Sequence, residues 1–246
     1  MANFIPFKLY ILSVLDELIQ KYNISSPFLD VGCGKGDVAL HLAKKGWRGD
    51  AIDITPQSVE TTRKLLKPYP KVSVSQTTIG ETPNKKYNLI IFLDVLEHIP
   101  DDHSALKAAA RMELPGAYLI ITVPSNPDRE WRWDDEVYGH LRRYKPGDIE
   151  KLISNSGFHV VEMWDISNPI FWLFRRAFTA MKVQPTIVGS QLQRSQQSPY
   201  TNAWNLGWIS DLLSNTHIWK PAYRIQKRYR DNLEKGNELA ILAQRN

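Results

Sequence analysis

The stretch Phe28-Leu-Asp-Val-Gly-Cys-Gly-Lys-Gly-Asp37 constrains this chain more than any other part of it. A short apolar run leads into three glycines at alternate positions, and a helical pattern from Val38 to Lys45 follows. Glycine is needed where the main chain turns sharply or lies against a ligand, because a Cβ would clash there. The order strand, glycine turn, helix opens a unit of an α/β sheet that binds its ligand at the carboxyl end of the strand.

The spacing narrows the ligand. A dinucleotide fold wants G-x-G-x-x-G with a pyrophosphate on the helix N-terminus. Here the third glycine comes one residue early, at Gly36 after Gly32 and Gly34, and Asp37 stands at the helix start. A carboxylate there suits the helix dipole but repels a phosphate. Asp30, at the strand end, adds a second negative charge beside the turn. Two carboxylates flanking a glycine turn suit a cationic, phosphate-free ligand, and S-adenosylmethionine, with its sulfonium and ammonium, is one. A second strand, Trp47 to Ile54, ends in Asp53, with Thr55 as helix cap and Pro56 at the first helical position. Asp53 lies 17 residues past Gly36, near the spacing of about 20 expected of an acid that grips ribose hydroxyls.

On Leu29–Gly36, Ala51–Thr55 and Tyr87–Pro100 the chain resembles the class I S-adenosylmethionine-dependent methyltransferases. The resemblance spans roughly residues 25–165 and is specific for cofactor and fold, not for substrate. It implies an α/β fold with a doubly wound, mostly parallel seven-stranded sheet, closed by an antiparallel last strand, and methyl transfer to an acceptor. It further implies that Asp30, Gly32, Gly34 and Gly36 line the methionine end of S-adenosylmethionine, with Cys33 as small filler in the loop. Asp53, with Ile54, would hold the ribose, and Leu93 and Asp94 would border the methyl group. Such enzymes often place an acid after the third strand to meet the adenine amino group. This chain has Gln76-Thr-Thr-Ile79 there, so Thr78 and the backbone of Ile79 are the candidates.

Apolar runs predict strands at 27–31, 48–54, 71–76, 87–93, 116–123 and 158–164, and helical periodicity predicts helices at 5–21, 36–46, 56–67, 100–111 and 146–156. Glu238 to Ala243 reads as a short buried strand. If it is the antiparallel strand, the chain divides into an N-terminal helix (1–24), a cofactor-binding core (25–165), a helical insertion (166–235) and a final strand (236–246). An insertion of that length carries its own helices, and the carboxyl edge of the sheet is where it is expected to lie.

A chain of 246 residues, 43% hydrophobic, can bury one good core. Its single cysteine, Cys33, excludes an internal disulfide and fits a reducing, cytoplasmic compartment. No run of eighteen apolar residues is present. The first 160 residues balance in charge, so the whole excess of +5 falls in the rest. The insertion mixes aromatic residues (Trp172, Tyr200, Trp204, Trp208, Trp219) with arginine and lysine. Three readings compete: a packed helical cap with a solvated basic face, a lid over an apolar acceptor that rests on anionic membrane through residues 166–230, and a nucleic-acid surface. No Asn/Asp-Pro-Pro-Tyr/Phe run follows the fourth strand. That run marks enzymes methylating base amines, so nucleic acid loses ground to a small-molecule or lipid-like acceptor.

Methyl transfer to a hydroxyl requires alignment and removal of a proton. Two segments offer the groups: Asp94-Val-Leu-Glu97-His98, and Trp131 to Tyr144. His98 or His140 is the candidate base. Glu97, Trp131, Tyr138, Arg143, Tyr144 and Trp172 are candidates for the acceptor pocket. The expected mechanism needs no metal, but Asp94, Glu97, His98 and His140 resemble the divalent-metal set of some O-methyltransferases. The plainer alternatives are a pocket-wall role for His98 and salt bridges from Arg142 and Arg143 to Asp134, Asp135 or Glu136. The rivals for the whole chain are a nucleotide-dependent oxidoreductase, a nucleic-acid methyltransferase or binding module, and a non-catalytic partner protein.

Overall fold

The computed structural model describes residues 5–82, 85–201 and 216–246. Strands β1 (Phe28–Val31), β2 (Gly49–Asp53), β3 (Val72–Gln76), β4 (Tyr87–Leu93) and β5 (Glu113–Pro124) alternate with helices α1 (Ile5–Lys21), α2 (Asp37–Lys44), α3 (Pro56–Leu66) and α4 (Asp102–Met112). Short helices α5 (Pro127–Glu130) and α6 (Trp133–Tyr138) lead to α7 (Pro146–Asn155) and β6 (Phe158–Asp165). Then come α8 (Ile170–Met181), α9 (Gln191–Gln197), α10 (Thr216–Arg228) and β7 (Glu238–Arg245).

The seven strands lie in the order β3-β2-β1-β4-β5-β7-β6. The β1–β2, β1–β4, β2–β3 and β4–β5 pairs are parallel, while β7 runs antiparallel between β5 and β6. This is the seven-stranded, Rossmann-like sheet with its inserted last strand. All four residues of β1 are buried, and six of the eight in β7. Strands covered on both faces read as continuous apolar runs, which is why Leu239–Ala243 was visible in a polar surrounding. One face packs Leu29, Ile90 and Leu119 against α4 and α7 through Leu106, Ile149 and Ile153. The other packs Phe28, Leu89 and Ile120 against α1, α2 and the insertion.

The insertion divides its work. Helices α8 and α10 stack on α1: Phe171 meets Phe7 at 5.0 Å between ring centroids, and Tyr223 meets Tyr10 at 5.0 Å. Among the described residues of the insertion, α9 and the following turn, Ser198–Tyr200, line the cavities at the carboxyl edge, against α6 and the glycine loop. Trp204 and Trp208 lie outside the described residues. Thr55 does not cap α3 with its side chain. Its backbone N–H instead donates to Asp53 Oδ1 at 2.8 Å.

Candidate active site

The parallel strands β1, β2 and β4 end together, and their last residues, Val31, Asp53 and Leu93, open onto two adjoining cavities that share Gly32, Asp94, His98, Ser198 and Pro199. The first is bounded by Lys8 and Leu12 of α1, Asp30, the glycine loop, Glu97, Tyr138 and His140. The second is bounded by Ile52–Thr55, Thr77–Ile79 and His98–Pro100. Gly32 sits at φ +67°, and a Cβ there would lie 2.6 Å from Val95. A glycine at this point lets the β4 turn press against the loop.

Each acid in this region has a distinct setting. Asp53 Oδ2 accepts from Gly34 N–H at 2.9 Å, so the acid ties the β2 end to the glycine loop. Asp30 is buried, with Oδ2 unpartnered. Burial, above all, pushes its carboxyl up to about 8. Asp94 takes a left-handed backbone, φ 55°, and its Oδ1 accepts from Thr122 Oγ1 at 2.6 Å. Asp37 pairs with Lys8 across to α1.

Glu97 and two imidazoles form the polar centre. Leu96–His98 is one 3₁₀ turn after β4, and His140 follows α6, whose end is fixed by Leu141 N–H donating to the Glu97 carbonyl at 3.0 Å. His140 Nδ1 donates to Asp135 Oδ1 at 2.9 Å, and His98 Nδ1 donates to the Gly139 carbonyl at 3.2 Å. Each ring then turns Nε2 toward Glu97 Oε1, 3.9 Å away in both cases. Both oxygens of Glu97 are buried without a partner. Burial first, then the Asp94 charge, pushes the Glu97 carboxyl well up. Burial and then His140 push His98 down to about 3. Burial lowers His140 as well, with Asp135 pulling the other way. Burial would raise Asp135 too, but Arg143, His140 and Arg175 hold it far below the usual carboxylate range.

Arg175 locks this loop from α8. It bonds Asp134 through Nε at 2.8 Å and Nη2 at 2.6 Å, Asp135 through Nη2 at 2.9 Å and the Glu130 carbonyl through Nη1 at 3.0 Å. Arg143 bonds Asp135 at 2.8 Å and the Ser125 carbonyl at 2.7 Å. The expected Arg143 salt bridge is therefore present, but it buries Arg143 away from both cavities. Arg142 pairs with Asp102 rather than with the α6 acids.

The structure gathers Asp30, Gly32, Cys33, Gly34, Leu93, Asp94, Glu97, His98, Tyr138 and His140 on the first cavity, and Asp53, Ile54, Thr78 and Ile79 on the second. Gly36 lines neither; it turns the chain into α2 at φ +81°. Four acceptor-pocket candidates also lie off the cavities. Trp131 is 41% exposed. Tyr144 gives its hydroxyl to Asp102 at 2.9 Å, Trp172 gives Nε1 to Glu130 at 3.0 Å, and Arg143 serves Asp135. Of the four metal candidates, the close cluster comprises Glu97, His98 and His140 without Asp94. Sequence reasoning missed Lys8 and Leu12 of α1 and Ser198–Pro199 of the insertion. No spacing rule connects them to the glycine loop.

Residues 8–163 match the family described as Methyltransferase domain. The chain belongs to that family. It is a class I methyltransferase that uses S-adenosylmethionine. Among curated relatives, a ubiquinone biosynthesis O-methyltransferase from Vibrio vulnificus is 30% identical over 168 residues, covering 61% of this chain and 69% of that protein. One from Rickettsia canadensis is 25% identical over 166 residues, covering 61% and 70%. Among solved structures, a sarcosine dimethylglycine methyltransferase from Galdieria sulphuraria, itself so named as putative, superposes with a TM-score of 0.62 at 15% identity, over 96% of this methyltransferase and 85% of that chain. The N-methyltransferase NodS from Bradyrhizobium japonicum, solved with S-adenosyl-L-homocysteine, gives 0.58 at 14% identity, over 99% and 90%. These two likenesses concern the fold. Within the methyltransferase, no helix of the described residues is long and apolar enough to cross a membrane.

Proposed function

We propose that this methyltransferase methylates an oxygen of a small or lipid-like acceptor, with His140 taking the acceptor's proton. One observation carries the reading: the hydrogen bond from His140 Nδ1 to Asp135 at 2.9 Å. It fixes the tautomer with a bare Nε2 on the cavity side, and the buried carboxylate stabilises the imidazolium that forms. The acceptor oxygen attacks the sulfonium methyl in line, S-adenosylhomocysteine leaves as a neutral thioether, and the proton passes to His140 Nε2. His98 lacks such support, because its Nδ1 faces a neutral carbonyl. The names of the ubiquinone O-methyltransferase relatives favour oxygen and an apolar acceptor.

The cofactor placement rests on the same cavities. Asp30 and the glycine loop hold the methionine end, Asp53 with Ile54 the ribose, Thr78 and Ile79 the adenine, and Leu93 and Asp94 border the methyl. Lys8 and Lys35 are the cations beside the first cavity among the described residues, and the methionine carboxylate needs one. Exposed Leu173, Met181, Val183 and Val188, close in sequence to Arg176 and Lys182, support peripheral contact with an anionic membrane. Incubating the protein with methyl-labelled cofactor and fractionated cell extract, then weighing the labelled product, tests the reaction. Label recovered only on protein or nucleic acid would defeat the small-acceptor reading.

Asp30 gives this placement a test with a sign. Its folded carboxyl stands near 8 against an ordinary 3.8, so between those values the folded state holds a proton that the unfolded state lacks. Its contribution to stability is whole below about pH 4 and lost as pH rises through 8. Asp30→Asn removes that loss, and at pH 8.5 the variant should melt about 5 °C above the wild type. It also removes the carboxylate for the ammonium, and S-adenosylhomocysteine should bind roughly 10–100-fold more weakly. A variant that melts no higher and binds as before would contradict both roles.

A second reading adds a divalent cation, favoured by the two unpartnered oxygens of Glu97. Two imidazoles oriented through their Nδ1 atoms, with a carboxylate whose ligand atom lies within 4.8 Å of theirs, suit such an ion. Glu97, His98 and His140 would hold it, and a bound ion would lower the pKa of the acceptor hydroxyl. Elemental analysis should find about one ion per chain in wild type and none in Glu97→Gln, with S-adenosylhomocysteine affinity the same in both. Full transfer after exhaustive chelation would leave His140 acting alone.

A further inference from the structure

We propose that α9 and the Ser198–Tyr200 turn form the outer wall of the adenosine half of the cofactor site. One of the three readings of the insertion made it a lid over an apolar acceptor. This inference rests on the cofactor placement proposed above and extends it to residues that no sequence motif marks.

Leu192, Ser195, Gln196, Ser198 and Pro199 line the second cavity, opposite the ends of β2 and β3. Their chemistry matches an adenine: Leu192 and Pro199 offer apolar surface to the flat ring, while the Gln196 amide and Ser195 hydroxyl can donate to and accept from its polar edge. Leu192 is 56% exposed and Ile54, on the same cavity, 44%. An occupant between them would remove both apolar side chains from water, the usual driving force for such a pocket.

The segment is held at both ends, so it keeps its place over the cavity. At one end Gln191 donates to the Gly139 carbonyl, and Arg194 Nε donates to the Glu136 carbonyl at 2.7 Å. Gly139 lies at φ +74°, and a Cβ there would come within 2.7 Å of Ser195 N and 2.8 Å of the Gln191 carbonyl. The backbone of α9 therefore seats directly on a residue that only glycine fills. At the other end the Tyr200 hydroxyl donates to Thr61 Oγ1 at 3.1 Å, and Lys35 Nζ lies 5.1 Å from the Tyr200 ring centre. A Cβ on Gly34 would meet Pro199 at 3.4 Å, ordinary packing distance. The wall thus spans from the α6 turn to the glycine loop, across the nucleoside.

Two nucleosides separate this wall from the rest of the site. S-adenosylhomocysteine carries the amino-acid tail, and 5′-methylthioadenosine lacks it. The double variant Leu192→Ala/Gln196→Ala should bind both at least tenfold more weakly by calorimetry, with its ligand-free melting midpoint unchanged. Asp30→Asn should weaken only the first. In the wild type, S-adenosylhomocysteine should slow tryptic cleavage after Arg194 at least fivefold, because the scissile bond must leave the wall to enter the protease. Wild-type affinity of the double variant for both nucleosides, weakening for S-adenosylhomocysteine alone, or cleavage after Arg194 indifferent to ligand would each overturn the proposal. A wild type that binds neither nucleoside would instead defeat the cofactor placement, and this wall with it.

Discussion

His140→Gln lowers the turnover number by about 10²–10⁴-fold, the usual worth of a positioned general base, and leaves the affinity for S-adenosylhomocysteine within about threefold. Glutamine keeps a polar side chain of similar reach beside Asp135, and Asp135 retains Arg143 and Arg175 as partners, so the loop does not lose its ion pairs. What disappears is the basic Nε2. Binding should therefore survive while proton removal fails, a split between kcat and affinity that a merely structural histidine would not give. The pH profile supplies a second check. Burial holds His140 below the ordinary imidazole value of 6.5, so the neutral, proton-accepting form prevails above it. At saturating cofactor the wild-type rate should show no acid limb above about pH 6.5. An unchanged turnover in His140→Gln would remove the histidine from the chemistry.

Arg175→Met destabilises the fold by about 3–5 kcal/mol, measured by denaturant unfolding, and lowers the melting midpoint by roughly 10 °C. Methionine fits the space but carries no charge. Asp135 still has Arg143, and Glu130 still has Arg176 nearby at 3.4 Å. Asp134, buried at 1% exposure, loses both bonds to its cation and remains a carboxylate in the interior. Taking a buried pair apart from one side is far more costly than never having it. The pair variant Arg175→Met/Asp134→Leu should accordingly recover most of the loss. A single variant as stable as the wild type would show that water reaches Asp134. Because Asp135 belongs to the same group and sets the His140 tautomer, Arg175→Met should also slow transfer in conditions where it remains folded.

Much of the fold was legible because strands buried on both faces leave uninterrupted apolar runs. β4 was predicted to the residue, β1 and β2 to within one, and β7 emerged from Leu239–Ala243 alone. Asp53 and the glycine loop were legible because their arrangement is local: the spacing of a turn and a strand end is written in nearby residues. The reading broke down where contact depends on the route of a long connection. Arg175 meets Asp134 across 41 positions, and no periodicity relates an arginine on one helix to an aspartate on another. Trp172 and Tyr144 looked like pocket aromatics. Trp172 instead gives its N–H to the buried Glu130 and Tyr144 its hydroxyl to the half-buried Asp102, each satisfying its polar tip as such side chains do in an interior. Glu97, His98 and His140 were nominated together, but their shared orientation depends on Asp135 and the Gly139 carbonyl, which only the folded loop brings near.

The place of β7 has a consequence for how the molecule reaches its native state. Among the described residues β6 has no neighbour other than β7, and β7 lies in sequence beyond α8, α9 and α10. During synthesis β1 to β5 can pair while β6 waits, its edge open, until some seventy further residues have left the ribosome. Closing so distant a pairing is slow, and in a refolding experiment with rapid mixing the amides of β6 should gain protection from exchange later than those of β1 and β4.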